Sequence, residues 1–251
     1  MATHLVVPDC QVKPGVDITH IKALGNWIVE HQPDTICNIG DFADMPSLSS
    51  YDVGKKEFEG RRYVSDLNAV HEAQVALLSP MFHYNEKQRT TKHKQYKPKM
   101  VLTLGNHEER ILRAVSKDSK LDGLLKISDL KYEAFGWEVH PFLEVVEVDG
   151  IHYSHYFTSG IMGNPAPSAK SVLRQECRTS VMGHVQKMEL EWHSKRNYFA
   201  LFSGIFYTHD EAYLGAQGNG LKPGIWVLHN VDTGYAEPQW ISAETLMREY
   251  L

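Results

Sequence analysis

Short apolar runs, each followed by polar residues, recur along this 251-residue chain. The clearest runs cover residues 4–7, 35–39, 100–104, 150–156 and 180–182. Their length and mostly apolar character predict strands buried within a sheet. Further short strands are predicted at residues 137–141, 143–148, 198–202 and 224–229. We expect the half of the chain from residue 137 onward to supply a second, mixed sheet.

Apolar residues with helical spacing separate the first two runs. Ile21, Leu24 and Ile28 share one face of segment 17–31, which predicts a helix and, with its flanking strands, a βαβ unit. A second helix is predicted at residues 65–78. A third is predicted at residues 107–116, with inward Ile111, Leu112 and Val115 and outward Arg110 and Arg113.

Residues 46–98 form a long excursion between two predicted strands. We expect them to be a helical cap insertion within a single domain that spans residues 1–251. The lysine-rich and arginine-rich segment 85–99 predicts a solvated loop, with an electrostatic funnel for a polyanionic substrate as the alternative. The Gly/Asn-rich segment 215–220 predicts a flexible turn.

Composition narrows the class of protein. A net charge of −5 gives no general attraction to nucleic acid or to an anionic membrane. No apolar stretch approaches the roughly 20 residues that span a bilayer, so we expect no membrane association. The three cysteines, Cys10, Cys37 and Cys177, lack paired spacing, which predicts a reducing, cytoplasmic location. The sequence leaves the oligomeric state open.

The polar residues that follow four of the runs carry the candidate chemistry. Ligands of open α/β sheets bind beyond the carboxyl ends of the strands, where these clusters lie. Oxygen and imidazole donors that converge from separate strands favour a divalent metal. The clusters are Asp9-Cys10-Gln11, Gly40-Asp41-Phe42-Ala43-Asp44, Gly105-Asn106-His107-Glu108 and Gly183-His184-Val185-Gln186.

In order and spacing, the clusters resemble the motifs of calcineurin-like metallophosphoesterases: Asp-x-His, Gly-Asp-x-x-Asp, Gly-Asn-His-Glu/Asp, a separate His, and Gly-His-x-His. The resemblance covers most of the chain. In its small size and in the amides within its motifs, the chain is similar to phage or bacterial members of the family. It implies an α/β fold, namely a four-layer α/β/β/α sandwich of two mixed sheets flanked by helices. It also implies two divalent metal ions, with Mn²⁺ expected and Fe, Zn, Ni or Mg as alternatives.

The resemblance implies that Asp41 bridges the two metal ions. Asn106, His155 and His184 would complete the second metal site with it. His155 is preferred over His152 because it lies at the end of its strand and the odd spacing puts the two on opposite faces.

The first metal site departs from the family pattern. Beside Asp9, Gln11 and Gln186 stand where the family has histidines. An amide oxygen is a harder and weaker donor than imidazole, which predicts weaker binding and better tolerance of Mg or Mn. Two roles stay open for the glutamines: direct ligation, or hydrogen bonding to ligands and water.

The resemblance makes His107 the general acid for the leaving oxygen, with Asp44 orienting its imidazole. Asn106 and Arg110 would contact the substrate phosphate, although a solvated surface role stays open for Arg110.

The predicted activity is hydrolysis of a phosphomonoester or phosphodiester by a binuclear metal centre. Related alternatives are a nuclease acting on DNA or RNA, and a catalytically weakened module that binds a metal or nucleotide. The predicted partner is therefore a phosphoester substrate, with a nucleotide or nucleic acid among the candidates.

Overall fold

The computed structural model describes residues 1–211 and 220–251, so most of the predicted turn at 215–220 lies outside the described residues. In chain order, the strands are β1 (Ala2–Val7), β2 (Thr35–Asn38), β3 (Lys99–Thr103), β4 (Glu138–His140), β5 (Val146–Val148), β6 (Ile151–Tyr153), β7 (Thr158–Ser159), β8 (Asn164–Pro165), β9 (Ser180–Met182), β10 (Met188–Trp192), β11 (Phe199–Ser203), β12 (Gly224–Asp232) and β13 (Tyr235–Ser242). The α-helices are α1 (Thr19–His31), α2 (Tyr63–Thr90), α3 (Arg110–Lys117), α4 (Ala169–Glu176) and α5 (Ala243–Tyr250).

Two large mixed sheets form the centre of the fold. The first has the order β13-β12-β1-β2-β3-β4, with β1 to β4 parallel and the β12–β13 hairpin antiparallel. The second has the order β10-β11-β9-β6-β5, with β11, β9 and β6 parallel and both edge strands antiparallel. A separate two-stranded hairpin joins β7 and β8.

Alternating side chains of β1 show how the layers stack. Val6 joins an apolar core that the two sheets share, whereas Leu5 and Val7 face the opposite side, where α1, α2 and α5 pack. On the outer face of the second sheet, α4 packs with Val172 against Phe202. The result is a four-layer α/β/β/α sandwich, which confirms the predicted fold class.

Three strands of the second half join the first sheet, so the predicted assignment of that half to a second sheet is wrong in part. β4 extends the parallel order beside β3, and the β12–β13 hairpin pairs with β1. The hairpin covers the backbone groups of β1 that would otherwise form an open sheet edge.

The excursion at residues 46–98 divides into two parts. α2 packs against α1, close enough that Gly25 faces the backbone carbonyl of Leu77, and so forms part of the outer helical layer. Residues 46–62 border the site described below.

The basic segment 85–99 differs from the predicted loop because α2 continues to Thr90. Good helix formers and an ion pair between Glu86 and Arg89 support this last turn. At about 1.5 Å per residue, the helical part of the segment, residues 85–90, lies about 30–38 Å along the helix from Ser65. Lys99 begins β3, whose carboxyl end carries the site, so the basic segment lies at the opposite edge of the first sheet.

The third helix begins three residues later than predicted, at Arg110. Ile111 is buried as expected, but Leu112 is 42% exposed, and Arg110 turns toward the site rather than outward. Among residues 1–211 and 220–251, no helix has both the length and the apolar character needed to cross a bilayer.

Candidate metal centre

Strand ends bring the candidate ligands together. Asp41 follows β2, Asn106 follows β3, and His184 follows β9, all at one edge of the sandwich. Asp41 and His184 adopt left-handed backbone conformations, with φ of 49° and 64°, as do Gln11 and Gln186, with φ of 41° and 59°. Such conformations cost about 1–3 kcal/mol each and cluster at functional sites.

Asp41, His155 and His184 each direct a ligand atom into one small space, and these atoms lie within 4.8 Å of one another. Oδ1 of Asn106 joins them, 2.7 Å from Nδ1 of His184 and 3.0 Å from Nε2 of His155. Nε2 of His155 is 3.4 Å from Oδ2 of Asp41. This mixed oxygen and imidazole set suits a divalent transition metal.

A backbone contact fixes the orientation of His155. Its Nδ1 donates to the carbonyl oxygen of Ile39 at 2.8 Å, which turns Nε2 toward Asp41 and Asn106. Burial opposes the charged imidazole, but the Asp41 carboxylate outweighs it and raises the pKa of His155 to about 9. Burial and the neighbouring His155 lower the pKa of His184 to about 4. The His155 imidazole therefore supplies the positive charge beside the Asp41 carboxylate. A bound metal cation would take over this role.

Asp9 supplies an independent test of whether the site suits a cation. Its side chain is fully buried, and within the described part of the chain its Oδ2 has no hydrogen-bond partner. Burial and the nearby Asp41 charge raise the pKa of Asp9 to about 7. A buried acceptor beside a second carboxylate calls for positive charge, so Asp9 fits a metal ligand.

The two glutamines lie on the Asp9 side. Gln11 is buried, and its backbone N–H donates to the carbonyl of Asp41 at 2.8 Å. Oε1 of Gln186 accepts a hydrogen bond from the Tyr207 hydroxyl at 3.1 Å. The Tyr207 contact supports the hydrogen-bonding role for Gln186, and direct ligation by either amide stays a prediction.

His107 and Asp44 form a buried pair next to the metal ligands. Nδ1 of His107 lies 2.7 Å from Oδ1 of Asp44, and its Nε2 lies 3.7 Å from Oδ2 of Asp41. Burial disfavours the imidazolium, but the Asp41 and Asp44 carboxylates outweigh it and raise the pKa of His107. The two carboxylates therefore favour the charged form of the imidazole, whose Nε2 faces Asp41.

Two cations surround Asp44. Nη1 of Arg110 lies 3.1 Å from Oδ1, and Nζ of Lys13 lies 3.3 Å from Oδ2. Burial alone would raise the pKa of Asp44, but His107, Lys13 and Arg110 hold it well below its usual range. Nη2 of Arg110 also lies 3.4 Å from Nε2 of His107, so the guanidinium borders the same space as the imidazole.

Sequence reasoning assigned no role to Glu108, although it belongs to the motif that carries Asn106 and His107. Its buried carboxylate accepts backbone N–H bonds from Asp41 at 3.0 Å, Ala43 at 2.9 Å and Gly105 at 2.9 Å. The Tyr132 hydroxyl donates to it at 3.0 Å. Glu108 thus connects the loops that follow β2 and β3. Its position in the same motif as Asn106 and His107 is the sequence feature that could have indicated this role.

Two glycines allow close approach to the carboxylates. A Cβ at position 105 would overlap the Asp41 side chain, and one at position 183 would overlap the Asp9 side chain. His152 and Arg113 lie outside this cluster: His152 contacts Glu147 at 3.2 Å, and Arg113 packs over the Phe142 ring.

Comparisons with known proteins give similarity at the level of structure. No family model matches the sequence, and no curated protein matches it. Zinc-bound Vps29 from Entamoeba histolytica matches 96% of this chain and 99% of its own, with 11% identity and a TM-score of 0.42. A double mutant of Vps29 matches 96% and 98%, with 12% identity and a TM-score of 0.39. GAP50, described as the anchor in the inner membrane complex of Plasmodium, matches 97% and 85%, with 11% identity and a TM-score of 0.36. Similarity at this level does not extend to activity, metal or partners.

Proposed function

We propose that this protein is a metal-dependent phosphoester hydrolase. The observation that carries the proposal is the position of His107, whose Nδ1 is held by Asp44 while its Nε2 lies 3.7 Å from Asp41, a residue of the metal-ligand cluster. Phosphoester hydrolysis uses a proton donor for the leaving oxygen and a cation that stabilises charge on the phosphoryl oxygens. A proton donor beside a cation site provides both.

Asp41, Asn106, His155 and His184 would hold one divalent ion, and Asp9 with Asp41 would hold a second, weaker one, assisted by the two glutamines. Bound there, the ions would polarise the phosphoryl oxygens and lower the pKa of an attacking water. Mn²⁺ suits the mixed donors and the amides best among the expected ions.

The chain's own residues handle the leaving group. A water oxygen forms the new bond to phosphorus, the bond to the leaving oxygen breaks, and that oxygen takes the proton from Nε2 of His107. One proton of the water passes to solvent, and His107 is reprotonated. Asp44 keeps the imidazole oriented and favours its charged form, while the Arg110 guanidinium borders the phosphate position.

The test uses protein stripped with EDTA and then supplied with Mn²⁺. We expect hydrolysis of p-nitrophenyl phosphate or bis(p-nitrophenyl) phosphate, lost on EDTA treatment and abolished by His155→Ala. His152→Ala is the matched control, because His152 lies three residues away and contacts Glu147 rather than Asp41. Absence of turnover with normal Mn²⁺ binding would contradict hydrolysis and leave a metal-binding module.

A further inference from the structure

A large cavity opens beside the proposed general acid. His107, Asp44 and Arg110 line one part of it, and segment 46–62 supplies much of the remaining wall. Its volume is about 1160 Å³, above the roughly 300–1000 Å³ of usual small-molecule sites. A phosphate group alone would fill a small part of this space.

In the proposed hydrolysis, the cavity lies on the side of the general acid and hence of the leaving group. His107 borders it, and the proton of His107 passes to the leaving oxygen, so the group attached to that oxygen departs into this space. The part of the substrate that becomes the alcohol product is therefore the part that the cavity selects.

Arg62 differs from the other cationic side chains of the cavity in its contacts. The other cationic side chains of the lining contact carboxylates within 4.0 Å: Lys13 with Asp44 and Glu211, Lys55 and Arg61 with Asp52, and Arg110 with Asp44. Arg62 is exposed, and in the described part of the chain its guanidinium contacts the backbone carbonyl of Arg61 and no carboxylate. With no carboxylate in direct contact, its guanidinium is open to an anion in the cavity.

The rest of the lining limits where an anion fits. Glu59 and Asp210 are exposed carboxylates that disfavour an anion close to them. Tyr51, also on the lining, is 80% exposed, so its ring is accessible for stacking. Aromatic faces of this kind stack on nucleobases regardless of the base.

We propose that the cavity binds the leaving portion of a nucleotide phosphodiester, with the leaving nucleoside's own phosphate at Arg62 and its base at Tyr51. This proposal rests on the proposed hydrolase activity and names its substrate class. Cleavage adds water across one P–O bond, giving a phosphomonoester and a nucleotide with a new hydroxyl.

Three dinucleotides test the assignment: TpT, pTpT with a 5′-terminal phosphate, and TpTp with a 3′-terminal phosphate. We expect one of the phosphorylated forms to be cleaved with about tenfold higher kcat/KM than TpT. Product analysis identifies the oxygen that left. In the preferred substrate, the terminal phosphate should be on the product that carries the new hydroxyl.

Variants of Arg62 link the preference to the cavity. Arg62→Ala should reduce the preference for the phosphorylated dinucleotide to about onefold, and Arg62→Lys should retain part of it. Arg89→Ala is the matched control, since Arg89 lies near the other end of α2 and is paired with Glu86. In metal-free protein, thymidine monophosphate should bind about tenfold more tightly than thymidine, and Arg62→Ala should remove the difference.

Equal cleavage of all three dinucleotides, or a terminal phosphate found on the other product, would overturn the proposal. So would an unchanged preference in Arg62→Ala. If p-nitrophenyl esters are still hydrolysed in a His155-dependent way, the substrate class fails while the proposed hydrolase stands. If neither kind of ester is hydrolysed, both fail.

Discussion

Nδ1 of His107 lies 2.7 Å from Oδ1 of Asp44, joining two loops whose residues are 63 positions apart in the chain. The contact turns Nε2 of His107 toward Asp41, and the two carboxylates raise the pKa of the imidazole despite its burial. His107 is therefore an oriented imidazole beside the candidate metal ligands, in surroundings that favour its protonated form.

Replacing this donor should affect poor leaving groups most. His107→Gln keeps hydrogen-bonding capacity but cannot donate the proton, so we expect kcat for phenyl phosphate to fall about 10²–10⁴-fold. The loss on p-nitrophenyl phosphate should be smaller, because nitrophenolate leaves more readily without a proton. Measuring kcat for both esters checks this, and equal losses would argue against His107 as the acid.

Lys13 should stabilise the protein through two buried carboxylates. Its Nζ lies 3.3 Å from Asp44 and 2.5 Å from Glu211. Lys13→Met leaves both acids without this cation, so we expect a loss of about 1–3 kcal/mol in the free energy of unfolding and a lower kcat.

Lys13→Arg should retain most of both properties. Lys187→Met, which breaks an exposed pair with Glu189, should cost less than about 1 kcal/mol. Urea denaturation of the three variants measures these changes in the free energy of unfolding. A Lys13→Met protein as stable as wild type would show that the contacts of Lys13 with Asp44 and Glu211 do not stabilise the fold.

The amides at positions 11 and 186 should set the metal preference. A Gln11→His and Gln186→His double variant places imidazoles where the amides stand, and we expect it to bind zinc more tightly at the first site. Calorimetric titration with Zn²⁺ measures the change. Unchanged affinity and stoichiometry would count against both glutamines as ligands.

His20 on α1 should make stability depend on pH. Its ring packs edge-on against Phe206, and burial lowers its pKa from 6.5 to about 4. Because the unfolded chain binds a proton more readily between these values, stability is complete above pH 6.5 and falls as the pH drops toward 4. The loss approaches about 3 kcal/mol.

His20→Leu should remove this part of the decline. Urea denaturation at pH 7.5 and pH 4.5 compares the two proteins. Identical losses in wild type and variant would show that other groups cause the pH dependence.

Much of the fold could be predicted because both faces of the central strands are buried. Leu5, Val6 and Val7 are all apolar, since β1 lies between the helices and the second sheet. Two of the edge strands, β10 and β13, escaped prediction, whereas β4 and β5 were predicted. β10, with Glu189 and Glu191, carries charged residues on a half-buried strand, so its apolar pattern is weak.

In the site, strand-end positions predicted that polar clusters would converge, and the family resemblance implied that Asp41, Asn106, His155 and His184 would meet; their side chains lie together. Neither could predict the contact of Lys13 with Glu211, which are 198 residues apart, because loop geometry alone brings them together. Helical periodicity placed Arg110 on the outward face. Periodicity reports only which helix face is apolar, so it could not predict that the buried Asp44 carboxylate would attract Arg110 toward the site.

The most direct measurement is anomalous X-ray diffraction from crystals of this protein grown with Mn²⁺. We predict an anomalous peak bounded by the side chains of Asp41, Asn106, His155 and His184, with a weaker peak beside Asp9, and loss of the first peak in His155→Ala. The absence of any peak among these four residues, or strong Mn²⁺ density at a different location, would contradict the metal centre on which the proposed hydrolysis depends.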